Sequence, residues 1–80
     1  MSIRKQDSVL INSAQCRMAR AALRLGVRDL AARAKVATDT VSRLEAGEVL
    51  KPRTVEAIQR ALEKAGVEFT NGNKPGVRLK

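Results

Sequence analysis

Between residues 12 and 66, apolar residues recur every three or four positions in four short runs, and helix-breaking residues divide these runs. Such a period places apolar side chains on one face of an α-helix. Gly26, Gly47 and Pro52 lie at the divisions, and Gly66 follows the last run. The pattern therefore restricts this part of the chain to short helices that bury their apolar faces against one another.

Each run predicts one helix, with recognisable start and stop signals. Asn12 followed by Gln15 resembles a capping box, in which each side chain accepts a hydrogen bond from the other residue's backbone N–H. Pro52 suits the first turn of a helix, and Gly66 suits a C-terminal cap. The four helices are predicted at Ser13–Arg24, Val27–Ala34, Thr38–Glu45 and Pro52–Ala65.

The two ends of the chain lack this helical period. Residues 1–11 are predicted to form a flexible basic arm, in which Arg4 and Lys5 either follow a nucleic acid or belong to a soluble tail. Residues 67–80 alternate apolar and polar positions on both sides of a turn rich in asparagine and glycine, which predicts a β-hairpin. We therefore expect an all-α domain over residues 12–66, a bundle of four helices, with a short C-terminal hairpin.

The chain has 80 residues and a formal net charge of +8, which indicates a polyanionic partner such as DNA or RNA. Ribosomal proteins and peptides that bind membrane surfaces share this excess, so charge alone leaves the partner open. Cys16 is the single cysteine and histidine is absent, which excludes an internal disulfide, a zinc site and the usual general base. We expect no metal, no cofactor and no enzymatic activity.

The sequence also indicates where in the cell the protein is located. No apolar stretch approaches the ~20 residues of a membrane span, and the N-terminus lacks the apolar core of a signal peptide. We therefore expect a soluble, cytoplasmic protein without a membrane partner.

Only about three residues join the second and third predicted helices, which is helix-turn-helix spacing. The segment LGVRDLAARAKVATDTVSRLEAG resembles the helix-turn-helix of the Cro and phage-repressor (Xre-type) family. That family's usual pattern is Leu-Ser-Gln-x-Glu-Leu-Ala, then Ala-Gly-Val-Ser-x-x-Thr-Ile-Ser-x-x-Glu-x-Gly. The resemblance spans roughly residues 12–65. It implies a lambda-repressor-like bundle and a transcriptional regulator that binds double-stranded DNA without a cofactor.

The resemblance implies which residues contact DNA. In the family, the exposed face of the third helix reads base edges, so Arg43 would contact guanine and Asp39 would accept from cytosine. Alternatively, Arg43 is a solvated charge, Asp39 complements the helix dipole and Ser42 is an idle surface serine. The implied base-contacting residues are Thr38, Asp39, Ser42 and Arg43, and the implied phosphate-contacting residues are Val27, Arg28, Thr40, Lys51 and Arg53.

The resemblance further implies a structural ion pair between Arg20 of the first helix and Glu45 at the end of the third. The chain departs from the family pattern at four positions. A left-handed backbone at Lys35 would cost about 1 kcal/mol, and the missing side-chain cap at Ala37 about as much, unless Thr38 takes its place. The departures are Gly26 for a capping serine, Val27 for glutamine, Lys35 for the turn glycine and Ala37 for serine or threonine.

The expected function is a dimeric repressor that occludes a promoter, including its own, by binding a palindromic operator. The hairpin either covers one end of the core or pairs with a second copy, and a lone two-stranded ribbon is marginal in water. One alternative is a DNA-binding antitoxin, which a neighbouring toxin gene would support. Another is a protein–protein adaptor that no longer binds DNA. The residues predicted to form the dimer are Val67, Phe69, Val77 and Leu79.

Overall fold

Four α-helices and a two-stranded antiparallel hairpin make up the structure, a computed structural model that describes residues 10–70 and 74–80. The predicted four helices and C-terminal hairpin are therefore confirmed. Residues 1–9 of the predicted arm, and the turn of the hairpin, lie outside the described residues. The elements are α1 Ser13–Leu23, α2 Val27–Ala34, α3 Thr38–Glu45, α4 Pro52–Ala65, β1 Val67–Thr70 and β2 Gly76–Leu79.

The start of α1 has the predicted capping box. Asn12 Oδ1 accepts from the Gln15 backbone N–H at 2.8 Å, and Gln15 Oε1 accepts from the Asn12 backbone N–H at 3.0 Å. The residue before the cap differs from expectation, because Ile11 is only 4% exposed and its N–H donates to Gln59 Oε1 at 3.0 Å. Ile11 therefore belongs to the core and not to the arm in which the sequence placed it.

Helices α1, α2 and α3 end in the same hydrogen-bonded cap. A residue with positive φ follows each helix closely, at Arg24 (57°), Lys35 (60°) and Gly47 (94°). The N–H of that residue and the N–H of the next residue donate to carbonyls in the last helical turn, which is the Schellman motif. The sequence placed Arg24 inside the first helix, but the left-handed backbone there ends α1 at Leu23.

Glycine in place of Lys35 is expected to stabilise the fold. A left-handed backbone costs a residue with a Cβ at least about 1 kcal/mol, and glycine avoids most of this cost. We expect Lys35→Gly to raise the free energy of unfolding by about 0.5–1 kcal/mol, measured by urea titration. The matched control is Lys64→Gly in the last turn of α4, where the backbone is right-handed, and it should lower the free energy of unfolding by about 0.5 kcal/mol. Equal effects at the two lysines would contradict the backbone explanation.

The core is aliphatic, and all four helices and β1 contribute to it. Leu30, Val41, Ile58 and Leu62 are completely buried, one from each of α2 and α3 and two from α4. Val41 and Leu44 in α3 lie three positions apart, and Ile58 and Leu62 in α4 lie four apart, which is the helical period of the sequence. None of the helices in the described ranges has the length and apolar character that a membrane crossing requires.

The hairpin lies against α1 and α4 and buries only part of its apolar face. Val67 pairs with Leu79, and Phe69 pairs with Val77. Val67 is completely buried, whereas Phe69 and Val77 are half-buried and Leu79 is 59% exposed. The apolar face of the hairpin is therefore covered at Val67 and largely open at Leu79.

A single buried amide links α1 to both strands. Gln15 is 1% exposed, and its Nε2 donates to the backbone carbonyls of Thr70 at 3.0 Å and Gly76 at 3.2 Å. Its Oε1 accepts from Asn12 in the capping box. These bonds use both amide hydrogens and the carbonyl oxygen, so Gln15 caps the helix and holds the hairpin at the same time.

Candidate nucleic-acid interface

The outer face of α3 carries the four residues predicted to contact bases. Val41 and Leu44 face the core, at 0% and 5% exposure. Because a helix has 3.6 residues per turn, positions 38 and 42 lie one above the other, and so do positions 39 and 43. The structure thus brings these four side chains together on one exposed surface: Thr38, Asp39, Ser42 and Arg43.

Arg43 lies between two carboxylates. Its Nε donates to Glu48 Oε1 at 2.9 Å, and its Nη1 is 4.0 Å from Asp39 Oδ2. The hydrogen bond to Glu48 raises the pKa of Arg43 further above its usual value. The sequence prediction missed Glu48, and its one signal was Gly47, whose left-handed backbone turns the chain back toward Arg43.

A groove separates α3 from the start of α4, and three of its lining residues are suited to hold phosphate. Thr40 and Lys51, both predicted phosphate contacts, share this groove with Thr54, which the sequence prediction missed. Arg53 is exposed in the first turn of α4, next to Lys51. In the first turn of α4, Pro52 has no N–H and the Thr54 N–H donates to the Lys51 carbonyl at 2.9 Å, which leaves the Arg53 backbone N–H to bind an anion.

At the start of α2, the two predicted phosphate contacts, Val27 and Arg28, differ in how far their side chains are exposed. Arg28 is exposed and available to a ligand. Val27 is half-buried and packs against the core, so its side chain is part of the fold and only its backbone N–H remains to contact a phosphate. Asp29 also faces this end, where its carboxylate accepts from the Gly26 N–H at 3.4 Å.

Three side chains of α1 anchor the C-terminal end of α3 through Glu45. Arg20 forms a bidentate ion pair, with Nε 2.7 Å from Oε2 and Nη2 2.8 Å from Oε1. Cys16 Sγ donates to Oε2 at 3.2 Å, and Arg17 donates to the Glu45 backbone carbonyl. The structure thus brings together the predicted pair Arg20 and Glu45, and adds two anchors that the sequence did not indicate.

Burial and hydrogen bonding shift the pKa values in this cluster. The hydrogen bond from Arg20 is the main cause that lowers the pKa of Glu45 below its usual range. The same bond raises the pKa of Arg20. Burial, and then the hydrogen bond to Glu45, raise the pKa of the Cys16 thiol to about 12. Cys16 therefore stays a neutral thiol that donates to a charged carboxylate.

The cations that flank α3 are in none of the ion pairs formed by the described residues. Arg60 pairs with Glu56 on α4, and Arg78 pairs with Glu68 on the hairpin. Within the described part of the chain, no carboxylate pairs with the cations that flank α3. A polyanion would meet these unpaired cations there, together with the exposed carboxylates of Asp39 and Glu48. These cations are Arg28, Lys35, Lys51 and Arg53.

Comparison with known proteins agrees with this arrangement. Residues 13–69 match the family described as "Helix-turn-helix domain", so the match includes all four helices and reaches β1. No curated protein sequence matches the chain significantly. Because the family match extends over more than half of the sequence, the chain belongs to the helix-turn-helix domain family.

Proposed function

We propose that the protein is a sequence-specific regulator of transcription that places α3 in the major groove of double-stranded DNA. The observation that carries this proposal is the outer face of α3, where four polar side chains lie together on one exposed surface. Arg28 at the start of α2, and Lys51 and Arg53 at the start of α4, are also exposed. In a helix-turn-helix, the second helix of the motif enters the major groove and the first crosses the backbone. Here those two helices are α3 and α2.

Base reading is assigned to Thr38, Asp39, Ser42 and Arg43. The guanidinium of Arg43 suits a bidentate contact to guanine O6 and N7, whereas the carboxylate of Asp39 can only accept, as from cytosine N4. The hydroxyls of Thr38 and Ser42 can donate or accept. These assignments make Arg43 the main source of discrimination between bases.

Phosphate binding is assigned to the starts of α2 and α4 and to the groove beside α3. Arg28, Lys51 and Arg53 supply charge, Thr40 supplies a hydroxyl, and Val27 supplies a backbone N–H. Contacts of this kind position a protein on the duplex without reading its sequence. The four helices, and the exposure of the residues assigned to DNA contact, support the proposal of a lambda-repressor-like, Xre-type bundle over residues 12–66.

We further propose that residues 67–80 form the interface of a homodimer. Leu79 is largely exposed beside the half-buried Phe69 and Val77, and a second hairpin would cover all three. A two-fold dimer would read two half-sites about one helical turn apart, in a palindromic operator. Such a dimer would repress transcription by occluding a promoter, including the promoter of its own gene. It would act in the cytoplasm and would need no catalytic site.

The experiment that tests this function is a titration of the protein against its own upstream DNA at about 150 mM salt, beside an unrelated duplex of equal length. We expect a preference of about 10³-fold or more. A footprint should show two protected halves centred about 10 base pairs apart if the dimer is correct. Equal, weak and steeply salt-dependent binding to both duplexes would contradict the proposal and favour a protein-binding adaptor.

A further inference from the structure

We propose that Glu48 is a positioning residue that holds Arg43 ready to read a base. This inference rests on the proposed function and adds a specificity-determining residue outside the recognition helix. Two contacts join the residues: the Glu48 backbone N–H donates to the Arg43 carbonyl at 3.1 Å, and Glu48 Oε1 accepts from Arg43 Nε at 2.9 Å. Both the backbone and the side chain of Glu48 are therefore hydrogen-bonded to Arg43, in the last turn of α3.

The helix cap explains why Glu48 lies there. Gly47 adopts φ 94°, and Glu48 then occupies the position of the Schellman motif that folds back over Arg43. A hydrophobic contact between these two positions commonly accompanies the motif. In this chain the same two positions carry opposite charges, so the cap places an acceptor beside the arginine and not beside an apolar side chain.

The contact leaves the recognition end of the guanidinium available. Glu48 accepts only from Nε, and among the described residues no hydrogen bond uses Nη1 or Nη2 of Arg43. Asp39 Oδ2, at 4.0 Å from Nη1, lies beyond hydrogen-bond distance. Nη1 and Nη2 form a pair of donors that matches O6 and N7 of guanine. Fixing Nε therefore orients a long side chain before DNA arrives, which reduces the entropy lost on binding.

The negative charge of Glu48 has a second consequence. A carboxylate beside the recognition helix repels phosphates and weakens binding to any duplex. It therefore weakens non-specific complexes, whereas the oriented Arg43 strengthens the cognate complex. We expect removal of Glu48 to increase general affinity for DNA and to decrease discrimination at one base pair of each half-site.

The test is selection from a library of randomised duplexes by the full chain and three variants: Glu48→Ala, Glu48→Gln and Glu56→Ala. Glu56 is the matched control, because its side chain is 52% exposed against 51% for Glu48 and it pairs with Arg60 at the same 2.9 Å. We expect Glu48→Ala to reduce the preference for guanine at one position by about two- to fivefold, because an exposed ion pair contributes only a small free energy. Glu48→Gln should retain part of it, because the amide oxygen still accepts from Nε.

Each result of the selection decides between the proposals. Loss of preference at that single position, with Glu56→Ala behaving like the original chain, would support the positioning role. An unchanged preference in Glu48→Ala would overturn that role and leave the proposed function standing, and so would an equal loss at every position. If the original chain enriches no sequence at all, the proposed function fails and the role of Glu48 with it.

Discussion

Replacing Glu45 with alanine is expected to lower the free energy of unfolding by about 3 kcal/mol, because the charge of Arg20 then remains partly buried without its partner. The two side chains are 10% and 23% exposed, and Arg20 holds both carboxylate oxygens of Glu45. Cys16 loses its acceptor at the same time. For a domain of this size, such a loss is a large fraction of the total stability.

Urea titration measures this loss, and Glu68→Ala is the control. Glu68 forms an exposed ion pair with Arg78, so its removal should lower the free energy of unfolding by at most about 1 kcal/mol. Equal effects of Glu45→Ala and Glu68→Ala would show that the buried pair adds nothing beyond an exposed one. Glu45→Ala should also weaken DNA binding, because α3 loses the anchor at its C-terminal end.

The same pair predicts how stability depends on pH. The pKa of Glu45 is lowered in the folded state, so its contribution is complete above the unfolded pKa, about 4.3. The contribution is lost as the pH falls through the folded pKa. Acid titration of the original chain and of Glu45→Gln should therefore give free energies of unfolding that approach each other as the pH falls below about 4.3 and through the lowered pKa of Glu45. A constant difference between them at all pH values would contradict the assignment.

The second large effect is expected at Gln15. Gln15→Met keeps the length of the side chain but leaves the carbonyls of Thr70 and Gly76, and the N–H of Asn12, without their partner. We expect the free energy of unfolding to fall by about 3 kcal/mol, because buried groups left unsatisfied cost about 1–3 kcal/mol each and some will reach water. Hydrogen exchange should show that amides of the hairpin lose protection first.

Gln59→Met is the control for this change. Gln59 is half-buried; its Oε1 accepts from the Ile11 N–H and its Nε2 donates to Glu63 Oε2 at 3.2 Å. Neither bond involves the hairpin, so the loss should be about 1 kcal/mol and should leave the hairpin protected. If Gln15→Met preserved hairpin protection, the amide would not be what joins the hairpin to α1.

Local patterns in the sequence predicted most of the fold, and interactions between distant residues account for what was missed. The capping box of Asn12 and Gln15 spans three positions and was readable. The bonds from Gln15 to the hairpin join residues 55 and 61 positions apart, and no local pattern indicates them. Arg24 was placed inside α1 because arginine favours helices and carries no signal for a left-handed backbone.

In the candidate site, too, local spacing predicted some residues, whereas contacts between separate elements were missed. The outer face of α3 follows from helical spacing, so its four polar residues could be predicted together. Glu48 reaches Arg43 only because the backbone reverses at Gly47, and the sequence shows the glycine but not the direction of the chain after it. Cys16 is buried, and its bond to Glu45 depends on how α1 packs against α3, which no local pattern indicates.

The central claim is that Arg43 reads a base, and the specificity ratio of matched arginine variants tests it most directly. The ratio of the dissociation constants for an unrelated duplex and for the selected duplex is measured at about 150 mM salt for Arg43→Ala and Arg60→Ala. Each variant removes one arginine that is bound to a glutamate at 2.9 Å, so the change in net charge is the same. We expect Arg43→Ala to lower the ratio by about tenfold or more and Arg60→Ala to leave it within about twofold. A ratio that Arg43→Ala leaves unchanged, or lowers no more than Arg60→Ala does, would contradict the claim that Arg43 reads a base.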